Sequence, residues 1–214
     1  FEPRLIPLAR LADVTEEVID AAADEATEGL DAIERAKVER SVAVINELYG
    51  HPDRLRRLAA DLLAHWDQRK AAMLPQIESG GKAMIVCATR EIAARLYEEI
   101  VTQRRAAGDD TWHSDAIDKG KIKVVYSGTT TDTDPISRHV RRGHEQRAIQ
   151  QRIKKADDEL ELVIVKDMLL TGFDAPSLHT LYVDRPLKGA LLMQTLARVN
   201  RTYRGKDNGS LVGY

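Results

Sequence analysis

Leu160-Glu161-Leu162-Val163-Ile164-Val165-Lys166-Asp167-Met168-Leu169-Leu170-Thr171-Gly172-Phe173-Asp174-Ala175-Pro176 is the stretch that decides the fold. Its first part is a short apolar run, the pattern of a strand buried on both faces, and it ends in a turn with Gly172, Asp174 and Pro176. A second strand, His179 to Asp184, follows at once. Upstream, Ala83-Met84-Ile85-Val86-Cys87 and Ile122-Lys123-Val124-Val125-Tyr126 supply further strands, each separated by enough chain for a crossover helix. In the first gap Ile92, Ala93, Leu96, Tyr97 and Ile100 repeat at helical spacing. This alternation predicts an α/β fold, a parallel sheet flanked by helices. Ligands on such sheets sit beyond the carboxyl ends of the strands. The candidate site segments fall there: Ala88-Thr89-Arg90, Ser127-Gly128-Thr129 and Thr171-Gly172-Phe173-Asp174.

The first eighty residues have a different texture. Phe1 to Leu11 contains Pro3 and Pro7 with no helical period and reads as a connector, whereas Asp13 to Glu28 and Leu30 to Leu48 are rich in Ala and Glu, strong helix formers. Pro52 suits the first turn of the next helix, where its missing N–H costs nothing. There Leu55, Leu58, Ala59, Leu62, Leu63, Trp66, Met73 and Leu74 recur at three and four, so this helix must pack against a partner, and Gly80-Gly81 ends it. The expected organisation is a connector and helical extension over 1–80 and the sheet domain over 81–214.

A chain of 214 residues can bury one substantial core. The single Cys87 excludes an intrachain disulfide, no apolar run is long enough to span a bilayer and no signal-peptide pattern opens the sequence, so a cytoplasmic protein without a membrane partner is expected. Net charge is −2, but residues 1–50 carry −7 and the remainder +5. Ser137 to Lys155 holds Arg138, Arg141, Arg142, Arg147, Arg152, Lys154 and Lys155 against only Glu145. Such a segment either neutralises phosphates or forms a solvated helix face. The carboxylates between Gly108 and Gly120 lack calcium-loop spacing, and His139 and His144 are five apart, so no metal site is expected.

Near the carboxyl end, Gln194-Thr195-Leu196-Ala197-Arg198-Val199-Asn200-Arg201 reads as a helix. At 100° per residue Gln194, Arg198 and Arg201 fall within roughly 60° on one side, with Leu192, Leu196 and Val199 almost opposite. Two permanently charged guanidiniums beside an amide suit phosphate oxygens. Strand, glycine turn with a carboxylate, second strand and arginine helix, in that order, resemble motifs V and VI of superfamily 2 helicases and translocases. The wording from Lys166 to Thr180, followed by Ala197-Arg198-Val199-Asn200-Arg201, is similar to the second RecA-like motor domain of the restriction (R) subunit of type I restriction–modification enzymes. Thr171 and Ala197 stand where many superfamily members have arginine and glycine, and both agree with the restriction-subunit version.

That resemblance implies a RecA-like domain 2 that closes over ATP and Mg²⁺ held mainly by a first motor domain. It implies that Arg201 is the arginine finger, that Arg198 shares its charge and Gln194 assists, and that Gly172 and Asp174 link the nucleotide to the DNA track. Thr89, Arg90, Ser127, Gly128, Thr129 and Thr171 are implied as contacts to the backbone of double-stranded DNA. The implied partners are upstream motor and nuclease domains of the same polypeptide, together with modification and specificity subunits. The residues agree with half a site: none of the Gly-Lys pairs at 81–82, 120–121 and 205–206 belongs to a phosphate loop, and Asp167 is followed by Met168 instead of a second carboxylate. Two alternatives stay open, another superfamily 2 ATPase such as a repair helicase or remodeller, and a non-motor flavodoxin-like domain that binds a phosphate or nucleotide alone.

Overall fold

The computed structural model describes residues 2–4, 31–77, 81–170, 172–185, 193, 197 and 209–214. Among them lie six strands, β1 (Glu2–Pro3), β2 (Lys82–Cys87), β3 (Ile122–Val125), β4 (Leu162–Val165), β5 (Leu178–Asp184) and β6 (Ser210–Gly213). Four helices, α1 (Ala32–Tyr49), α2 (Pro52–Ile77), α3 (Arg90–Ala106) and α4 (Gly143–Lys154), accompany them. The strands form one all-parallel sheet in the order β1-β6-β5-β2-β4-β3. The α/β class expected from the alternating segments is therefore the observed one. No helix among the described residues is long and apolar enough to cross a membrane.

Parallel strands are buried on both faces and so read as continuous apolar runs. The two faces nonetheless sort by alternate residues. Ala83, Ile85 and Cys87 of β2 join Ile122 and Val124 of β3 and Leu162 and Ile164 of β4 under α2 and α3. Met84 and Val86, with Val125, Val163, Val165, Leu181 and Val183, point to the other face, where Ile149 and Ile153 of α4 cover them.

The amino-terminal helices belong to this same core. Asp31 starts α1 with a capping box: its Oδ1 accepts the N–H groups of Ile33 and Glu34, both at 2.8 Å, and Glu34 accepts the Asp31 N–H at 3.2 Å. Helix α2 begins at Pro52 and drives Leu55, Leu58, Ala59, Leu62, Leu63 and Trp66 into the cluster shared with β2, β4 and Tyr182. The partner demanded by its apolar stripe is thus the sheet, and no gap in packing separates α2 from the strands. Two strands escape a periodicity reading. Glu2–Pro3, expected as part of a connector, pairs with β6 at the sheet edge, and β6 is too short to show a pattern.

Register positions the site. Val125 pairs with Val165, Val165 with Val86, Val86 with Val183 and Val183 with Gly213, so four buried strands end on one row. The residues just beyond those four ends emerge on a common rim.

Candidate functional site at the carboxyl rim of the sheet

The segments after β2, β3 and β4 close around a pocket of about 210 Å³ lined by Arg90, Tyr126, Ser127, Gly128, Thr129, Lys166, Asp167 and Met168. Four of the residues expected at the site from sequence, Arg90 and the Ser127-Gly128-Thr129 turn, are therefore brought together. Arg90 donates from Nη1 to Asp132 Oδ2 at 2.8 Å and to the Ser127 carbonyl at 3.2 Å. Asp132 also accepts the Thr129 N–H at 2.7 Å. Burial pushes the Asp132 carboxyl up, but the Thr129 N–H and the Arg90 guanidinium outweigh it and hold its pKa below the ordinary value. Arg90 thus ties the turn in place. Gly128 is required there because a Cβ would come within 2.4 Å of the Val140 methyl groups.

Across the pocket, β4 ends in Lys166-Asp167. The Asp167 carboxylate lies 2.9 Å from Lys166 Nζ and 2.7 Å from Arg185 Nη1, and Arg185 is the first residue after β5. Arg185 is buried, and its Nε has no hydrogen-bond partner among the described residues. The rim accordingly gathers Arg90, Lys166 and Arg185 against Asp132 and Asp167. It offers donors to an anion.

Thr89 does not share that role. It is 0% exposed: its Oγ1 caps α3 by accepting the Ile92 N–H at 3.2 Å and donates to Asn46 Oδ1. A residue at a strand end was expected to face DNA, and the hydroxyl is instead consumed inside the fold. Arg152 of the basic segment is similarly buried, bonded to Asp158 and to the carbonyls of Ile117, Lys119 and Gly120, so it contributes no surface charge.

Gly172 and Asp174 do not line the pocket. They are exposed on a turn pinned from below by Leu170, Phe173 and Ala175, and Gly172 has φ +68°, a conformation that glycine adopts without strain. Gln194, Arg198, Arg201 and Thr171 lie outside the described residues.

Sequence reasoning missed one further feature of the rim. Arg54 in the first turn of α2 bonds both carboxylate oxygens of Asp184 at the end of β5, with Nη1 3.1 Å from Oδ2, and it also bonds the Tyr49 carbonyl at 3.1 Å. Both side chains are buried. Burial pushes the Asp184 carboxyl up against the pull of Arg54. The partners are 130 residues apart, and the only sequence signal was an arginine on an otherwise polar first turn.

The described rim fits the oxygens of a phosphate better than it fits a divalent cation. Donors are supplied by Arg90, Lys166, Arg185 and the turn, with an unpaired buried Nε among them, whereas Asp132 and Asp167 are already held by cations. No group of three metal-ligating side chains occurs among the described residues.

The fold and rim define an α/β domain with a cation-rich carboxyl edge. Residues 139–214 match the family described as type I restriction enzyme subunit R domain 3. The chain is 38% identical over 185 residues to the type I restriction enzyme HindI endonuclease subunit of Haemophilus influenzae, covering 86% of this chain and 16% of that protein. It is 32% identical over 217 residues to the putative type I restriction enzyme MjaIXP endonuclease subunit of Methanocaldococcus jannaschii, covering 100% of this chain and 19% of that one. The chain belongs to the family of type I restriction enzyme R subunits and spans under a fifth of the length of these two relatives. Among solved structures, Mss116p DEAD-box helicase domain 2 bound to an RNA duplex overlaps 72% of this chain and 49% of that one, with a TM-score of 0.42 and 20% identity.

Proposed function

We propose that this chain is the second motor domain of an ATP-dependent, DNA-translocating restriction subunit of the cytoplasm, and that it completes an ATP site built mainly by a preceding motor domain. The observation that carries the reading is the rim itself. Three strand ends converge on a pocket lined with phosphate donors, and just after β5 Arg185 pairs with Asp167 of its lining, shortly before the stretch that contains Gln194, Arg198 and Arg201.

In this reading Arg201 supplies charge to the transferring phosphoryl group, Arg198 shares that charge, and Gln194 assists at the domain interface. Gly172 and Asp174 link the nucleotide side to the DNA side. ATP with Mg²⁺ supplies the phosphoryl group and its hydrolysis energy, and the metal is held by the partner domain. Ser127, Gly128, Thr129 and Thr171 contact the DNA backbone, with Arg90 acting by fixing the turn. Backbone contacts suit a translocase because they carry no sequence information. Double-stranded DNA, the upstream motor and nuclease domains, and the modification and specificity subunits are the partners.

The test is Arg201→Ala in the intact subunit. Loss of an arginine finger lowers turnover by about 10³–10⁵ with much less effect on ground-state binding. The variant is expected to bind ATP and neither hydrolyse it nor move DNA. Near-normal turnover removes Arg201 from the finger role, and steady ATP hydrolysis by the purified chain alone removes the half-site reading.

A further inference from the structure

Behind the rim turn lies a second pocket, of about 440 Å³, between α3, the turn at His113 to Asp115, strand β3 and the 3₁₀ turn at Ser137–His139. Its size falls within the range of small-ligand sites. Among its lining residues are four cations, Arg105, Lys123, Arg138 and Arg141, against the carboxylates of Glu98 and Asp115. Two of the cations are spoken for. Arg105 lies 3.1 Å from Asp110, and Arg138 lies 3.0 Å from Asp134 and 3.5 Å from Glu98.

Lys123 and Arg141 are held differently. Lys123 Nζ donates to the carbonyls of Ser114 and Ala116 at 2.5 and 2.8 Å, and Arg141 Nη1 donates to those of Arg138 and Val140 at 2.7 and 3.1 Å. Carbonyls accept hydrogen bonds without cancelling a positive charge. Burial, with the nearby Arg152 and Arg141, pushes the Lys123 ammonium down to about 8. His139 forms part of the same wall, is 7% exposed, and its Nε2 has no hydrogen-bond partner among the described residues. A buried polar atom of that kind calls for a partner that the protein does not provide.

We infer that this pocket is a binding site for a phosphoryl group, held chiefly by Arg141 and Lys123. Oxygens spread over a tetrahedron can be met by donors arriving from β3 and the 3₁₀ turn at once, whereas a planar carboxylate offers only two. The ring of Tyr97, bonded through its hydroxyl to His113 at 2.7 Å, together with Val101 and Val124, gives an apolar side for whatever the phosphoryl group is attached to. The phosphoryl group comes either from the backbone of DNA or from a free phosphate ester. Val140, between His139 and Arg141, is also the side chain that packs on Gly128 of the rim. An occupant of the pocket therefore adjoins the rim turn through a single residue. The inference stands on this pocket's own geometry and holds for a motor or a non-motor domain alike.

The experiment compares the intact parent protein with two variants, Arg141→Gln and Thr102→Glu, in the absence of ATP. Thr102 is exposed on the α3 wall of the pocket, so a carboxylate there repels an anion without removing a described hydrogen bond. The probes are inorganic phosphate, read by its effect on the thermal midpoint, and a labelled duplex of arbitrary sequence, read by anisotropy against salt. If free phosphate esters are the source, phosphate raises the midpoint and both variants weaken its binding roughly tenfold, the scale of one charge-assisted hydrogen bond. If DNA is the source, phosphate has little effect, duplex affinity falls by a similar factor on unrelated sequences, and the salt slope in Arg141→Gln shrinks by about one phosphate. Arg141→Lys restores most of the affinity in either case. Unchanged affinity for both probes in both folded variants overturns the inference.

Discussion

The two faces of the sheet are filled by different chemistry. The face under α2 and α3 is aromatic and tied down by directional bonds: Trp66 Nε1 donates to Glu161 at 2.8 Å, the Tyr182 hydroxyl meets His65 Nδ1 at 2.8 Å, and the Tyr126 hydroxyl donates to the Ile136 carbonyl at 2.8 Å. The face under α4 is aliphatic apart from Phe173, and part of it is loop, with Leu169, Leu170, Phe173 and Ala175 serving as core. Directional bonds fix one arrangement, whereas aliphatic contacts tolerate others. The first face is the scaffold. The second carries the turn with Gly172 and Asp174.

Deleting one large ring from each face probes that difference. Trp66→Ala empties a fully buried site and leaves Glu161 without the indole donor, so a loss of about 3–5 kcal/mol in the whole domain is expected by denaturant unfolding. Phe173→Ala is expected nearer the lower end of that range, because its ring is covered on one side by the flexible Lys154 chain, 5.1 Å away. Amide exchange should separate the two. In Phe173→Ala it accelerates around Gly172 and leaves β2 protected, and equal acceleration in both places would make the faces one unit.

The buried Arg54–Asp184 pair is the next lever, since it joins the scaffold helix to the end of β5. Arg54→Ala leaves an uncompensated carboxylate and should cost about 3–5 kcal/mol. Arg54→Met combined with Asp184→Leu should recover most of that loss. Failure of the double variant to recover would assign the effect to packing instead of charge.

A smaller effect is expected at the rim. Gly128→Ala drives a methyl group into Val140 and should cost about 1–3 kcal/mol, with Val140→Ala relieving it. Additive losses in the pair would show that the clash is not the cause.

The last concerns acid. Burial, with Arg141 and Arg138 nearby, pushes His139 down to about 4 from 6.5, and His65 is lowered by burial as well. Between those values the unfolded chain takes up a proton that folded His139 refuses. Stability is therefore complete above pH 6.5 and lost as pH falls toward 4, by up to about 1.4 kcal/mol per pH unit for each such group. His139→Asn should flatten that slope in urea unfolding between pH 4.5 and 6.5. An unchanged slope would mean that His139 is already protonated in the fold.

Much of this architecture is written locally. Strands β2 to β5 were legible because burial on two faces forces unbroken apolar runs, and the start of α2 was legible because Pro52 suits a first turn. The rim followed from one rule, that ligands gather where parallel strands end, and Arg90 does lie with Ser127, Gly128 and Thr129 around one pocket. The rule could not say which way a side chain turns once there. Thr89 and Arg90 are neighbours, yet one hydroxyl is consumed by a helix cap and one guanidinium faces the pocket. Long-range pairing was likewise illegible, as with Arg54 and Asp184. The helical extension looked separate because its stripe names no partner.

The outermost described strand on one side, β3, has a consequence for how such a domain behaves among others. An open strand edge invites a neighbouring chain to extend the sheet. Here Lys123 lies on that strand with its ammonium bonded to the Ser114 and Ala116 carbonyls, and Arg152 clasps the carbonyls of Ile117, Lys119 and Gly120. Two charged side chains sew a loop along the border. Among the described residues charge, and not another strand, borders that edge, so it is blunted against pairing with a neighbouring chain.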